Sequence, residues 1–239
     1  MKEHFRTQGI FLKETPHREA DYFFTIYTKK YGLISALGKS IRKINSKLRG
    51  GAQLFYFSEI EFIEGKNYKI LIDSSSLNRF ENILENVNRL GVAHRISEVI
   101  TNFIKGEEKD EALWNLILQS FKGLNNKKID SKILFFFFLW NFLSLLGYKP
   151  QLKNCIKCRN KLEPEKLSFN YQEGGVVCKD CSGKIKNEVK INPNIVKIIR
   201  LFLSHNLEIL SHVSIPKDKL DDLEELSKKY YLYILESTR

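Results

Sequence analysis

A chain of 239 residues with 43% hydrophobic side chains can bury a core in one large domain or two modest ones, and is too apolar to be disordered. Lysine and arginine outnumber aspartate and glutamate 39 to 28, a net charge of +11 with a pI near 9.4, which favours polyanionic partners, nucleic acid or an anionic membrane surface. The excess is uneven: residues 1–50 hold eleven basic and four acidic side chains, a net +7, leaving +4 for residues 51–239.

At the N-terminus, Lys2 and Arg6 are followed only by the short apolar run Ile10–Leu12. That is too little for a signal peptide, so a cytoplasmic location is expected. Five strands are predicted next: IFLK (10–13), YFFTIYT (22–28), GLISALG (32–38), LFYFSEIEFIE (54–64) and YKILID (68–73). They are rich in β-branched and aromatic residues, with turn signals at Lys29–Gly32 and Glu64–Asn67. Five strands in so short a segment predict a small barrel, an OB-fold ahead of an SH3-like barrel.

The period then changes to three and four. Phe80, Ile83, Leu84, Val87 and Leu90 form one helical face and Ile96, Val99, Ile100, Phe103 and Ile104 another, with Gly91 a candidate break between them. Further helices are predicted around Leu113–Phe121 and over 131–146. The run ILFFFFLWNFLSLL (133–146) is shorter than a membrane span and interrupted by Asn141 and Ser144, so it reads as a buried core helix. Pro193 suits a first helical turn, and a last helix follows Pro216, with Asp221, Asp222, Glu224 and Glu225 early and Lys228 and Lys229 later, as the helix dipole prefers. The expected organisation is an OB-fold over 1–76 and a helical domain over 77–239 with a zinc-binding insertion at about 150–184.

GLISALGKS resembles a phosphate-binding loop, but five residues rather than four separate Gly32 from Gly38, and they are mostly apolar. The stretch 28–50 instead stands out for seven cations and no acid: Lys29, Lys30, Lys39, Arg42, Lys43, Lys47 and Arg49. Cations so placed neutralise phosphates and release counterions whatever the base sequence. Tyr27, Tyr31 and Tyr56 lie close enough in sequence to stack on unpaired bases, although a barrel tyrosine is more often core. Bridging two polyanions needs a second basic surface, for which Lys122, Lys127, Lys128 and Lys132, or Lys184, Lys186 and Lys190, are candidates.

All four cysteines fall in one pattern, Cys155-x2-Cys158, nineteen residues, Cys178-x2-Cys181. Two such pairs supply the four-thiolate set that tetrahedral zinc prefers. Phe169, Tyr171, Gly174 and Gly175 between them suit a returning hairpin. A thioredoxin-like motif lacks its βαβ context, and a disulfide framework does not suit a cytosolic chain. With four protein ligands the site is closed, so the metal would hold shape rather than activate water. A glycine often follows the second cysteine of a knuckle, and here Arg159 stands there. The histidines (His4, His17, His94, His205, His212) form no metal pair and no G-x-S-x-G elbow exists, so no enzyme is expected.

Over nearly its whole length the chain resembles the bacterial recombination-repair mediator family RecO. The likeness runs through GIFLKETPHREADYFFTIYTKKYGLISALGKSIRKINSKLRGGAQLF, with its T-x-x-x-G hairpin and basic run, and through LSLLGYKPQLKNCIKC and GGVVCKDC. The resemblance implies a non-enzymatic protein, cytoplasmic and nucleoid-associated. It would bind single- and double-stranded DNA and anneal complementary strands coated by single-strand binding protein, whose acidic C-terminal tail it would receive. With RecR it would help load RecA. Lys29, Lys30, Tyr31, Lys39, Arg42, Lys43, Lys47 and Arg49 are the candidate DNA contacts, and Cys155, Cys158, Cys178 and Cys181 the zinc ligands. Two rivals remain: an RNA-binding module built from an OB-fold and a zinc ribbon, and a zinc-dependent nuclease, which would need an open metal position that four cysteines do not leave.

Overall fold

The computed structural model describes residues 3–204 and 206–238, so His205 lies outside the described residues. The chain divides into two compact units at residues 127 and 128.

The first unit opens with five strands, β1 (His4–Pro16), β2 (Tyr22–Thr28), β3 (Gly32–Gly38), β4 (Phe57–Glu64) and β5 (Lys69–Asn78), closed into a barrel of order β1-β2-β3-β5-β4. Strand β1 is long enough to serve two neighbours: His4–Ile10 pairs with β4 and Gly9–Pro16 with β2. A bulge between Phe11 and Lys13 bends it from one partner to the other. Closure is completed by the parallel pairing of Ala36–Gly38 on β3 with Lys69–Leu71 on β5. This is the OB-fold topology the sequence predicts, closed through three residues of β3. Phe11, Phe24, Ile26, Ile34, Ile60 and Phe62 alternate inward and fill the interior.

Helices α1 (Glu81–Leu84), α2 (Val87–Phe103) and α3 (Glu111–Asn125) follow in the same unit. The break falls at Glu85–Asn86 rather than at Gly91: Asn86 caps α2 by accepting the Arg89 N–H at 3.1 Å. Gly91 sits on the exposed face, where glycine costs about 1 kcal/mol without ending a helix. Ser97 on α2 donates to the Leu12 carbonyl at 2.6 Å, Trp114 on α3 stacks on Tyr27 at 6.4 Å, and Phe121 meets Phe55 at 5.8 Å. Tyr27 is therefore core, buried to 1% exposure.

In the second unit α4 (Ser131–Leu145) is capped by Asp130 and buried on almost every side, including Ile133–Trp140 without a gap. It is the core helix expected, and no helix among the described residues is long and apolar enough to cross a membrane. Helices α5 (Pro193–Ser204) and α6 (Lys217–Ser237) surround it, and the Trp140 indole N–H donates to Ser227 Oγ at 3.0 Å. A three-stranded sheet of order β7-β6-β8 lies between α4 and α5 in the chain, built from β6 (Leu167–Asn170), β7 (Gly175–Val177) and β8 (Glu188–Ile191).

Between β3 and β4 the chain takes only turns and one short 3₁₀ segment, Lys47–Gly50. Ile41, Leu48 and Ala52 from this connector join the barrel core. Gly51 lets it lie against β5: a Cβ there would stand 2.5 Å from the Ser74 carbonyl oxygen and 2.6 Å from its carbon, whereas a Cβ on Gly50 meets nothing within 4 Å. The two neighbouring glycines should thus respond oppositely. Gly51→Ala is expected to destabilise by about 1–3 kcal/mol, as other backbone-shifting overpacking does. Gly50→Ala should stay within about 0.5 kcal/mol. Urea unfolding followed by circular dichroism checks the pair, and equal midpoints would count against the docked connector.

Candidate nucleic-acid interface and metal centre

The T-x-x-x-G sequence makes the β2–β3 hairpin. Thr28 Oγ1 donates to the Gly32 carbonyl at 2.9 Å and accepts the Tyr31 N–H at 3.0 Å, while Thr7 Oγ1 accepts the Lys30 N–H at 3.2 Å. Lys29 and Lys30 project from its tip, both exposed. Tyr31 is half-buried, its ring edge-on to Phe5 at 5.8 Å and to Phe62 at 5.4 Å.

The connector is held rather than loose. Asp21 Oδ1 accepts the Ser40 N–H at 2.7 Å, the Arg42 N–H reaches the Ala20 carbonyl at 3.2 Å, and the Arg42 guanidinium reaches that of Glu19 at 3.2 Å. With Ile41 and Leu48 anchored inside, the intervening polar residues face water, and Lys39, Arg42, Lys43, Lys47 and Arg49 are all exposed. None of the seven cations forms an ion pair with a described residue.

The fold does not gather all seven. The hairpin tip and the connector stand at opposite ends of β3, which spans Gly32–Gly38, about 20 Å at strand rise. Lys39, Arg42, Lys43, Lys47 and Arg49 all belong to the connector, which grips the β1–β2 turn at Ser40 and Arg42, and Arg42 and Arg49 line one cleft. That turn and the β4–β5 loop are the ligand-contacting loops of OB-folds. An aromatic trio that the strand pattern did not reveal joins them: Phe23, near the start of β2, sits between His17 of the turn at 4.7 Å and Tyr68 of the loop at 5.3 Å, both edge-on. Knowing which loops an OB-fold uses would have pointed to it. Among the further lysines, Lys132 is paired with Glu224 at 2.8 Å, while Lys122, Lys127, Lys184, Lys186 and Lys190 are exposed.

The four cysteines converge in the second unit. Their sulfurs lie within 4.8 Å of one another, with Cys158 and Cys178 Sγ 3.7 Å apart. Tetrahedral zinc with Zn–S bonds of about 2.3 Å sets sulfur–sulfur edges of about 3.8 Å, so this donor set fits that ion. The local geometry is that of two knuckles. The Arg159 N–H bonds the Cys155 carbonyl at 3.0 Å and the Ser182 N–H that of Cys178 at 2.9 Å, each closing a turn around its pair. The Cys178 N–H points at Cys155 Sγ from 3.4 Å. Arg159 adopts φ +65, the left-handed conformation that glycine would take at no steric cost, so the first knuckle carries strain.

The predicted hairpin is β6–β7, and it seats the knuckles on the helices. The Ile156 N–H bonds the Val176 carbonyl at 3.0 Å and Gln151 brackets Gly175 through its N–H and carbonyl. This strap runs so close that a Cβ on Gly175 would fall 2.4 Å from Ile156 Cγ2. Phe169 on β6 packs edge-on to Tyr230 of α6 at 5.4 Å. The second knuckle is tied to β8, which the sequence reading did not foresee, through Ser182 Oγ donating to Glu188 at 2.7 Å. Charge explains why such a cluster calls for a cation. Burial pushes Cys181 up to about 12, reinforced by its sulfur neighbours. Cys155, despite burial, is brought down to about 6 by backbone N–H groups of Cys178, Cys158 and Lys157. A divalent ion is what allows all four to be thiolates together.

Comparison with known proteins covers both units. The family model described as "Recombination protein O N terminal" matches residues 1–80, and "Recombination protein O C terminal" matches residues 84–239. A DNA repair protein RecO from Thermodesulfovibrio yellowstonii is 32% identical, over 97% of this chain and 94% of the relative. Proteins of the same name from Dehalococcoides mccartyi and Caldanaerobacter subterraneus are each 28% identical, over 97% and 94% of this chain and 91% and 90% of theirs.

Metal analysis of the purified chain should find one zinc per molecule. Cys155→Ser is expected to lose it and to lower the thermal midpoint by roughly 5–10 °C, the shift that ~2–3 kcal/mol produces in a chain of this size. Metal-free protein with an unaltered midpoint would rule out a structural ion.

Proposed function

The chain belongs to the RecO family of DNA repair and recombination mediators, and from that membership we propose that its barrel binds DNA through the basic connector while a structural zinc ion shapes its helical part. The observation that carries the reading is the set of cations at residues 39–49, exposed, without an ion pair to any described residue, on a connector held against an OB-fold ligand loop. Anchoring places the charges in advance, so little ordering is lost when phosphates arrive. Lys29 and Lys30 offer a second contact along the β2–β3 ribbon for a strand that follows it.

Such binding is blind to sequence, as annealing of arbitrary complements requires. Charge compensation for two strands lets them approach, and the bases then pair without help from a reacting group. No catalytic step is assigned. Family membership further suggests RecR, the acidic tail of single-strand binding protein and the RecA-loading pathway as partners, in a cytoplasmic, nucleoid-associated setting. In this reading residues 1–76 carry the principal DNA contacts and 77–239 the partner contacts. Cys155, Cys158, Cys178 and Cys181 hold the zinc ion, whose contribution is to cross-link two knuckles that a small sheet cannot hold by itself.

Fluorescence anisotropy across a salt series tests the reading. Arg42→Glu/Lys43→Glu is expected to weaken binding to single strands and to flatten the slope of log K against log salt by about 1.4, twice the ~0.7 per phosphate contact. Annealing should fall with it while the thermal midpoint stays. An unchanged slope, or stronger binding to RNA of matched sequence than to DNA, would displace this reading.

A further inference from the structure

The connector does not fill the end of the barrel completely. A cleft of about 480 Å³ remains between it, β1 and β2. Its floor is apolar, formed by Phe24, Ile41 and Ala52 from the barrel core. Its rim is polar and aromatic. Tyr22 lines one part, with the Arg42 guanidinium over its ring at 5.0 Å, and Tyr56 and Arg49 line others. The size falls within the about 300–1,000 Å³ of small-molecule sites.

Within this cationic rim stands one carboxylate, Glu14. It makes no hydrogen bond or ion pair with a described residue. A surface built only to attract phosphates gains nothing from an acid placed there, since it repels them. A carboxylate is useful instead against the Watson–Crick edge of an amino-bearing base, where it accepts from the exocyclic N–H of cytosine. Arginine planes and tyrosine rings stack on unpaired bases, and Arg49 lies within the same cleft to take the adjoining phosphate.

We infer that this cleft is a subsite for a single flipped-out nucleotide, stacked on Arg42 and Tyr56 and read by Glu14, so that an amino-bearing base, cytosine foremost, is held in preference to thymine. The inference rests on the DNA-binding reading above and deepens it by naming the ligand of one subsite. Partial burial raises the Glu14 carboxyl above its ordinary range, in keeping with a group that loses some of its water to the cleft. Thymine offers two carbonyl oxygens on either side of its ring N–H, and these face the carboxylate unfavourably.

The test uses the full chain with oligo-dC and oligo-dT of equal length, whose backbones carry equal charge. The wild-type protein should bind oligo-dC at least about fivefold tighter, the lower end of what one good base contact gives. In Glu14→Gln, whose amide serves amino and keto bases alike, the ratio should fall towards one with the salt slope unchanged. Photo-crosslinking with 5-iodo-deoxycytidine in the strand should mark Tyr22 or Tyr56, and this readout does not depend on a variant folding. Equal affinity for the two oligonucleotides, with a normal salt slope, would overturn the subsite and leave the DNA reading standing. A cytosine preference that survives in Glu14→Gln, or crosslinks confined to other residues, would also overturn it. Absence of binding to either oligonucleotide at low salt would remove the DNA reading and the subsite together.

Discussion

The segment between β3 and β4 has to close the end of a barrel and stay in water at once. Ile41, Leu48 and Ala52 meet the first demand by entering the core, and Lys39, Arg42, Lys43, Lys47 and Arg49 meet the second by facing outward. Burying two large aliphatic side chains is worth about 1.5–3 kcal/mol each. Repulsion between neighbouring exposed cations is about 1 kcal/mol per close pair in water, and less in salt. Burial therefore wins, and a run of like charge that would otherwise spread out is pinned to a defined place. Contacts from Asp21, Ala20 and Glu19 fix that place beside the β1–β2 turn. Electrostatics supplies the attraction, but packing decides where it is felt.

The metal centre solves a related problem with different means. Strands of four, three and four residues cannot bury enough apolar surface to stand alone. Two anchors compensate: the knuckles, drawn together at their sulfurs, and Phe169 against Tyr230, whose hydroxyl also donates to the Tyr148 carbonyl at 3.0 Å. A left-handed non-glycine residue costs about 1–2 kcal/mol, and a metal held by the four sulfurs would far outweigh the strain at Arg159. The strap over Gly175 tolerates no side chain, which gives that glycine a packing reason distinct from the turn conformation of its neighbour Gly174, at φ +60.

Much of this was legible in the sequence because the governing interactions are local or follow a fixed period. β-Branched and aromatic richness bounded by turn signals pointed to the barrel strands, Thr28 and Gly32 to the hairpin, and cysteine spacing to the four-sulfur cluster. What escaped depends on contacts distant in the chain. Tyr27 reads as core more readily than as stacking platform, and Trp114, far along the sequence, decides it by covering the ring. Gly91 looks like a helix break, yet the Asn86 cap a few residues earlier decides where α2 begins. β8 carries no strong strand pattern and exists because Leu167–Asn170 offers it an edge. The seven cations form one run in sequence, but a strand length separates Lys29 and Lys30 from the rest.

Sequence-blind attraction and a base-reading cleft are compatible once their energies are compared. Phosphate contacts position a strand and base contacts specify it. In the proposed binding mode, five connector cations acting at about 0.7 log units per contact would control affinity through salt, whereas one carboxylate on one base would shift it by a single modest factor. If the chain anneals complements as proposed, it must also let go of each base as it pairs. Several strong base contacts would trap the strand unpaired. One weak contact at the barrel end would hold a nucleotide out of the stack for a short time and then yield it to a partner, since base pairing and stacking return about 1.4 kcal/mol per step. Glu14 shares its cleft with Arg42 and Arg49, so the repulsion between its carboxylate and nearby phosphates would keep that contact weak enough to be reversible.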